Sequence, residues 1–147
     1  MGNAASVADA GRKQGNALYA AGDLAAAVRV YRRTLDAGAE NKHLLHSNIS
    51  ACCLAGGLLN AALEAADACI ALEPTWPKGH FRRAAVLAAL ELWPEALLSL
   101  RRAQLGDPRS SGVRSMVEEA SSKLPPVPLR GGAPPLFDGM RLIMPLP

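Results

Sequence analysis

Five side chains stand at spacings that could do chemistry together: Arg12 and Asn16, Asn48, and Lys78 and Arg82. Arg12 and Asn16 are four residues apart, as are Lys78 and Arg82, and on an α-helix that spacing puts both members of a pair on one face. If the helices that carry them lie side by side, with Asn48 between the two pairs, three cations and two amides converge on one surface. Guanidinium, ammonium and amide groups all donate hydrogen bonds. Together they suit a ligand rich in anionic oxygen, above all one that offers two carboxylates close together. Charge-assisted bonds of this kind contribute about 1.5–3 kcal/mol each.

The elements that must position these residues are legible in the pattern of the chain. Of its 147 residues, 28 are Ala and only six are Phe, Trp or Tyr. That composition disfavours sandwiches and barrels, whose strands are rich in β-branched and aromatic residues, and suits closely packed helices. A repeat of 34 residues runs through it: Ala62-Leu63-Glu64 returns as Ala96-Leu97-Leu98, and Glu73-Pro74 as Asp107-Pro108. Ala27 precedes Ala62 by 35, which places one extra residue in the loop from Gly38 to Lys42. Each unit holds two helical patterns, broken at Gly22-Asp23, Gly56-Gly57 and Leu92-Trp93-Pro94. The reading is all-α, with helices over about 5–21, 24–37, 42–55, 59–72, 77–91 and 94–105. A seventh amphipathic segment, about 110–122, has Val113, Met116, Val117 and Ala120 on one face and is expected to cap the exposed end of the array.

Small residues recur at fixed places in units numbered from Ala8, His43 and Pro77: Gly15, Ser50 and Ala84 at position 8, then Ala27, Ala62 and Ala96 at position 20. With Tyr31, Ala66 and Leu100 at position 24 and Thr34, Cys69 and Ala103 at position 27, the chain resembles the tetratricopeptide repeat over about 100 residues. The resemblance implies a right-handed solenoid of three helix pairs: a leader at 1–7, units at about 8–42, 43–76 and 77–108, a capping helix at 109–122 and a Pro-rich tail at 123–147. Arg12-Lys13-Gln14-Gly15-Asn16, Ser47-Asn48 and Lys78-Gly79-His80-Phe81-Arg82-Arg83 look like the dicarboxylate-clamp subclass of these repeats. That subclass includes co-chaperones that bind the Glu-Glu-Val-Asp tails of the 70-kDa and 90-kDa heat-shock chaperones. Carried over, the clamp is Arg12, Asn16, Asn48, Lys78 and Arg82. Arg12 stands where the family usually has Lys. The resemblance implies a co-chaperone-like adaptor that catalyses nothing and needs no cofactor.

A C-terminal Asp brings a side-chain carboxylate and a main-chain carboxylate. Arg12, Asn16 and Asn48 are expected to hold the main-chain group, Lys78 the side-chain group, and Arg82 a nearby carbonyl or an upstream acid. Ala51, Leu54 and Phe81 are expected to form the groove wall that receives an aliphatic side chain. A short peptide loses much chain entropy on docking, so the expected affinity is micromolar at best. A general repeat scaffold that binds an internal segment of another protein is the alternative.

Composition excludes other classes. No run of 18 apolar residues is free of charge, so no transmembrane helix is expected. A net charge of +3 is too small to argue for nucleic acid. Three cysteines without a C-x-x-C pattern indicate neither a disulfide scaffold nor a zinc site, and Cys52, Cys53 and Cys69 read as small packed residues. His43, His46 and His80 read as packed or edge histidines, and no nucleophile motif, phosphate loop or paired-acid site is present. Met1-Gly2-Asn3-Ala4-Ala5-Ser6 matches the N-myristoylation pattern at Gly2, which would give only a weak membrane tether. The expected state is a cytoplasmic monomer, membrane-associated only through such an acyl chain. Residues 124–147 hold seven Pro and three Gly, yet also Leu136, Phe137, Leu142, Ile143 and Met144. The tail reads either as a disordered end or as a segment that docks on a partner or on its own groove.

Overall fold

A computed structural model describes residues 4–127. It contains seven helices: α1 (Ala4–Ala20), α2 (Leu24–Asp36), α3 (Lys42–Ala55), α4 (Leu59–Leu72), α5 (Pro77–Ala89), α6 (Trp93–Gly106) and α7 (Ser111–Lys123). No strand occurs among the described residues. The helices pack as pairs, α1 with α2, α3 with α4 and α5 with α6, and each second helix then packs on the next pair. The first helices also touch in order, α1 with α3 and α3 with α5, and so form one wall. Gly2 and residues 128–147 lie outside the described residues.

Three identical turns make the pairs. In each, an N–H reaches back five residues to the last turn of the first helix: Asp23 to Leu18, Leu58 to Cys53 and Leu92 to Leu87, at 2.8–2.9 Å. The residue just before is left-handed in all three, at φ +84° for Gly22, +77° for Gly57 and +60° for Glu91. Glycine adopts this conformation without a Cβ clash; the third unit places Glu91 there instead. Asp23 caps α2 by accepting from Ala26 N–H at 3.2 Å, and Ser110 caps α7 by accepting from Val113 N–H at 3.3 Å. The α2–α3 loop runs over residues 37–41 and the α4–α5 loop over 73–76, so the first unit's extra residue lies in that loop, where Asn41 takes φ +55°.

Two apolar clusters hold the stack. One joins α1 to α5 around Tyr31, Leu45, Ile49, Cys52 and Val86. The other joins α5, α6 and α7 around Leu100, Ala103 and Val113. Ala27, Ala62 and Ala96 are fully buried at the helix–helix crossings, where a larger side chain would hold the axes apart. α7 buries Val113 and Ala120 and packs Met116 and Val117 against α6, so it covers the end of the array. Trp93, at the start of α6, joins that cluster beneath the Lys123 ammonium, 5.8 Å from its ring centroid.

The expected leader at 1–7 needs correction, because α1 already begins at Ala4. Ala4, Ala5, Ala8 and Ala10 are strong helix formers and carry the helix into that segment. α5 ends at Ala89 rather than 91, since Glu91 has left the helical region.

Candidate functional site

Asn16 on α1, Asn48 on α3 and Arg82 on α5 meet at one small cavity of about 80 Å³, lined also by Tyr19, Tyr31 and Ala51. They come together because each belongs to a first helix and those helices form one wall. The Asn48 amide Nδ2 donates to Asn16 Oδ1 at 3.2 Å, which ties the first unit to the second. Tyr31 reaches the same oxygen from α2, its hydroxyl donating at 2.6 Å. Arg82 Nε donates to Ser47 Oγ at 3.2 Å, so the guanidinium is held against α3 with its terminal nitrogens free of that bond. Burial pushes the Arg82 guanidinium below its ordinary range.

Arg12 and Lys78 stand one helical turn away from this centre, about 6 Å along α1 and α5 toward their N-termini. Arg12 is ion-paired with Asp9, and Lys13 reaches the other oxygen of that carboxylate at 3.6 Å. Lys78 is exposed, with its pKa lowered first by burial of its stem and then by the Arg82 charge. Two cations that disfavour each other on one helix face define a site that gains from an anion. Lys78 also lines a second, larger cavity of about 570 Å³ between α5 and the α6–α7 end, with Trp76, Pro77, Phe81, Asp107 and Val113.

The residues expected to form the groove wall are dispersed. Ala51 lines the small cavity. Phe81 belongs to the larger one and packs on the α5–α7 cluster. Leu54 packs against the cluster that joins α1 to α5 and does not line the small cavity.

Other polar groups have structural partners. Arg83, adjacent in sequence to Arg82, turns about 100° away on the helix. It donates to Asp67 of α4 and Ser99 of α6, each at 3.0 Å. His80 is buried, with Nε2 2.6 Å from the Pro74 carbonyl, and His43 meets Trp76 edge-on at 4.8 Å. Cys52 and Cys69 are buried thiols pushed up to about 11 by desolvation. No group of three or more His, Cys, Asp or Glu side chains placed to hold a metal occurs among the described residues. Nor is any described helix long and apolar enough to cross a membrane.

Three residues at the centre had no assigned role in the sequence reading: Tyr19, Tyr31 and Ser47. Tyr31 carried one available signal. It faces Gly15 across the α1–α2 pair, and a tyrosine there must put its hydroxyl somewhere.

The fold matches solved repeat domains. The first such domain of Spaghetti (RPAP3), solved with the HSP90 peptide SRMEEVD, superposes with a TM-score of 0.71 at 20% identity, over 78% of this chain and 90% of that one. The fold is that of a tetratricopeptide-repeat domain. Among curated proteins, the repeat domain is 31% identical over 96 residues to heat shock protein STI1 of Saccharomyces cerevisiae, covering 65% of this chain and 16% of STI1. It is 32% identical over 109 residues to the STIP1 homolog of Dictyostelium discoideum, covering 74% of this chain and 19% of that protein. The chain therefore spans less than a fifth of the length of either relative. No family model matches it.

Proposed function

We propose that this repeat domain captures the acidic C-terminus of a partner protein, a heat-shock chaperone tail ending in Glu-Glu-Val-Asp, and so acts as a co-chaperone-like adaptor with a binding rather than a catalytic role. One observation carries the reading: amides from α1 and α3 and a guanidinium from α5 meet around a single cavity whose lining holds no acidic side chain. Asn16 and Asn48 supply uncharged donors, Arg82 a charged one, and Lys78 and Arg12 flank them along the wall. A terminal Asp fits this arrangement because its two carboxylates need two sets of donors. The likeness to a repeat domain solved with an HSP90 peptide supports the same ligand class, as does the identity to STI1.

The flanking cations assign the ends of the ligand. The terminal main-chain carboxylate goes to Asn16 and Asn48 with Arg12. The terminal side-chain carboxylate goes to Lys78, and Arg82 reaches the peptide backbone or an upstream acid. To take part, Arg12 must exchange Asp9 for the ligand. That ion pair is half-exposed and links neighbouring turns of one helix, and pairs open to solvent are worth only about 0–1 kcal/mol.

Calorimetric titration with an acidic peptide ending in Glu-Glu-Val-Asp tests the reading. The free acid binds in the micromolar range and weakens as salt is added. The same peptide with an amidated end, or the Arg82→Ala domain, gives no measurable heat of binding. Equal affinity for the free acid and the amide overturns the reading and favours a scaffold for internal segments.

A further inference from the structure

We propose that Tyr31 is a positioning residue of the anion site, turning the Asn16 amide so that its NH2 group, and not its carbonyl, faces an incoming carboxylate. The inference rests on the functional reading above and deepens it. A primary amide carries one oxygen with two lone pairs and one nitrogen with two protons. At Asn16 the oxygen receives two donors, the Tyr31 hydroxyl at 2.6 Å and the Asn48 amide at 3.2 Å. Both lone pairs are thereby used inside the protein, and the NH2 group is what remains for the cavity. Reversed, the same amide would set a carbonyl oxygen against an anion, an acceptor facing an acceptor.

The phenol is well placed to enforce this. Tyr31 is 1% exposed and its ring lies against the bare backbone of Gly15, which fixes where the ring sits. The hydroxyl must stay protonated to donate, and desolvation pushes its pKa up to about 12. Tyr31 sits on α2, a second helix, whereas the groups assigned to the ligand sit on first helices. It borders the same cavity, but its hydroxyl is spent on Asn16, so its part is to act through that amide.

The test compares the wild-type and Tyr31→Phe domains against the free-acid and amidated peptides. Phenylalanine keeps the ring over Gly15, so the urea midpoint stays close to that of the wild type. The free-acid affinity falls roughly 3–10-fold, the loss expected from one misdirected hydrogen bond. Any residual binding of the amidated peptide is unchanged, so discrimination between the two ends narrows. A readout on the unaltered domain accompanies this one: in a 15N-labelled sample, the Asn16 side-chain NH2 signals move on addition of the free acid and stay still with the amide. Unchanged affinity in Tyr31→Phe, or immobile Asn16 NH2 signals while the Arg82 Nε signal shifts, overturns the role of Tyr31 and leaves the clamp standing. Failure of the wild-type domain to tell free acid from amide overturns both.

Discussion

A Cβ built on Gly15 would stand 2.2 Å from Cε1 of Tyr31. The missing side chain on α1 is what lets the aromatic ring of α2 lie flat against it, and the ring in turn delivers a hydroxyl to Asn16. Packing and site geometry are one arrangement here. Gly15→Ala gains helix propensity, about 1 kcal/mol, but forces a buried ring out of place, for which overpacking costs run about 1–3 kcal/mol. The expected result is a net loss of up to about 2 kcal/mol in urea unfolding. An unchanged or raised midpoint would show that the α1–α2 pair yields freely.

Glu91 occupies the left-handed position that Gly22 and Gly57 hold in the other two units. An L-residue there costs roughly 1–2 kcal/mol, and the entropy glycine loses on folding returns about 0.5–1 kcal/mol of any gain. Glu91→Gly should therefore stabilise the domain by about 0.5–1 kcal/mol without affecting peptide affinity, as read by thermal unfolding and titration side by side. Destabilisation would mean that the Glu91 side chain contributes more than its backbone strain removes.

The surroundings of Lys78 disfavour its charge, since burial and the Arg82 charge both lower its pKa. A lysine with a depressed folded pKa disfavours the fold while both states are protonated, and that handicap is relieved only as pH rises from the folded toward the unfolded value. Lys78→Met keeps the apolar stem and removes the charge. The free domain should be as stable as before or more so, by up to about 0.5 kcal/mol, while the acidic peptide binds at least roughly tenfold more weakly. Parallel loss of stability and binding would assign Lys78 a structural role.

Alkaline pH should unfold the domain earlier than its charge alone suggests. Burial holds Cys52 and Cys69 at about 11 and Tyr31 at about 12, above their ordinary values of 9.0 and 10.0. Groups raised in the fold favour it fully below their unfolded pKa and lose that contribution as pH climbs through the folded value. The unfolding free energy read from urea titrations should be flat from pH 7 to about 8.5 and fall steadily toward pH 11, by several kcal/mol in all. Over the flat range Cys52, Cys53 and Cys69 should react with a thiol reagent at under about 1% of the rate seen in denaturant. A midpoint independent of pH up to 10.5 would show that these groups are solvated.

Much of the architecture was legible because it is local. The breaks at Gly22-Asp23 and Gly56-Gly57 mark real left-handed turns, and Pro77 and Pro94 sit in the first turns of α5 and α6. α3 and α4 have the bounds the periodicity predicts. The Val113, Met116, Val117 and Ala120 face does cover the end of the stack. Less legible were the fates of individual side chains. Arg12 carries the right charge at the right spacing, yet in the free domain it is paired with Asp9. Leu54 shares a helix with Ala51 and is half-buried like it, yet it packs against the cluster that joins α1 to α5 and does not line the small cavity.

Taken alone, the amino-acid sequence determined the number of helices, their phase and which helices carry Asn16, Asn48 and Arg82, since a period of 3.6 residues and a repeat of 34 depend only on order along the chain. Only the tertiary structure decided what those residues touch. The bonds from Tyr31 and Asn48 to Asn16 span 15 and 32 residues, and that from Arg82 to Ser47 spans 35. Each exists only where two helix axes approach closely enough for side chains to meet, and the approach is set by Gly15 and the buried alanines. Helical periodicity says which way a residue points; the distance between helices decides whether anything is there to receive it.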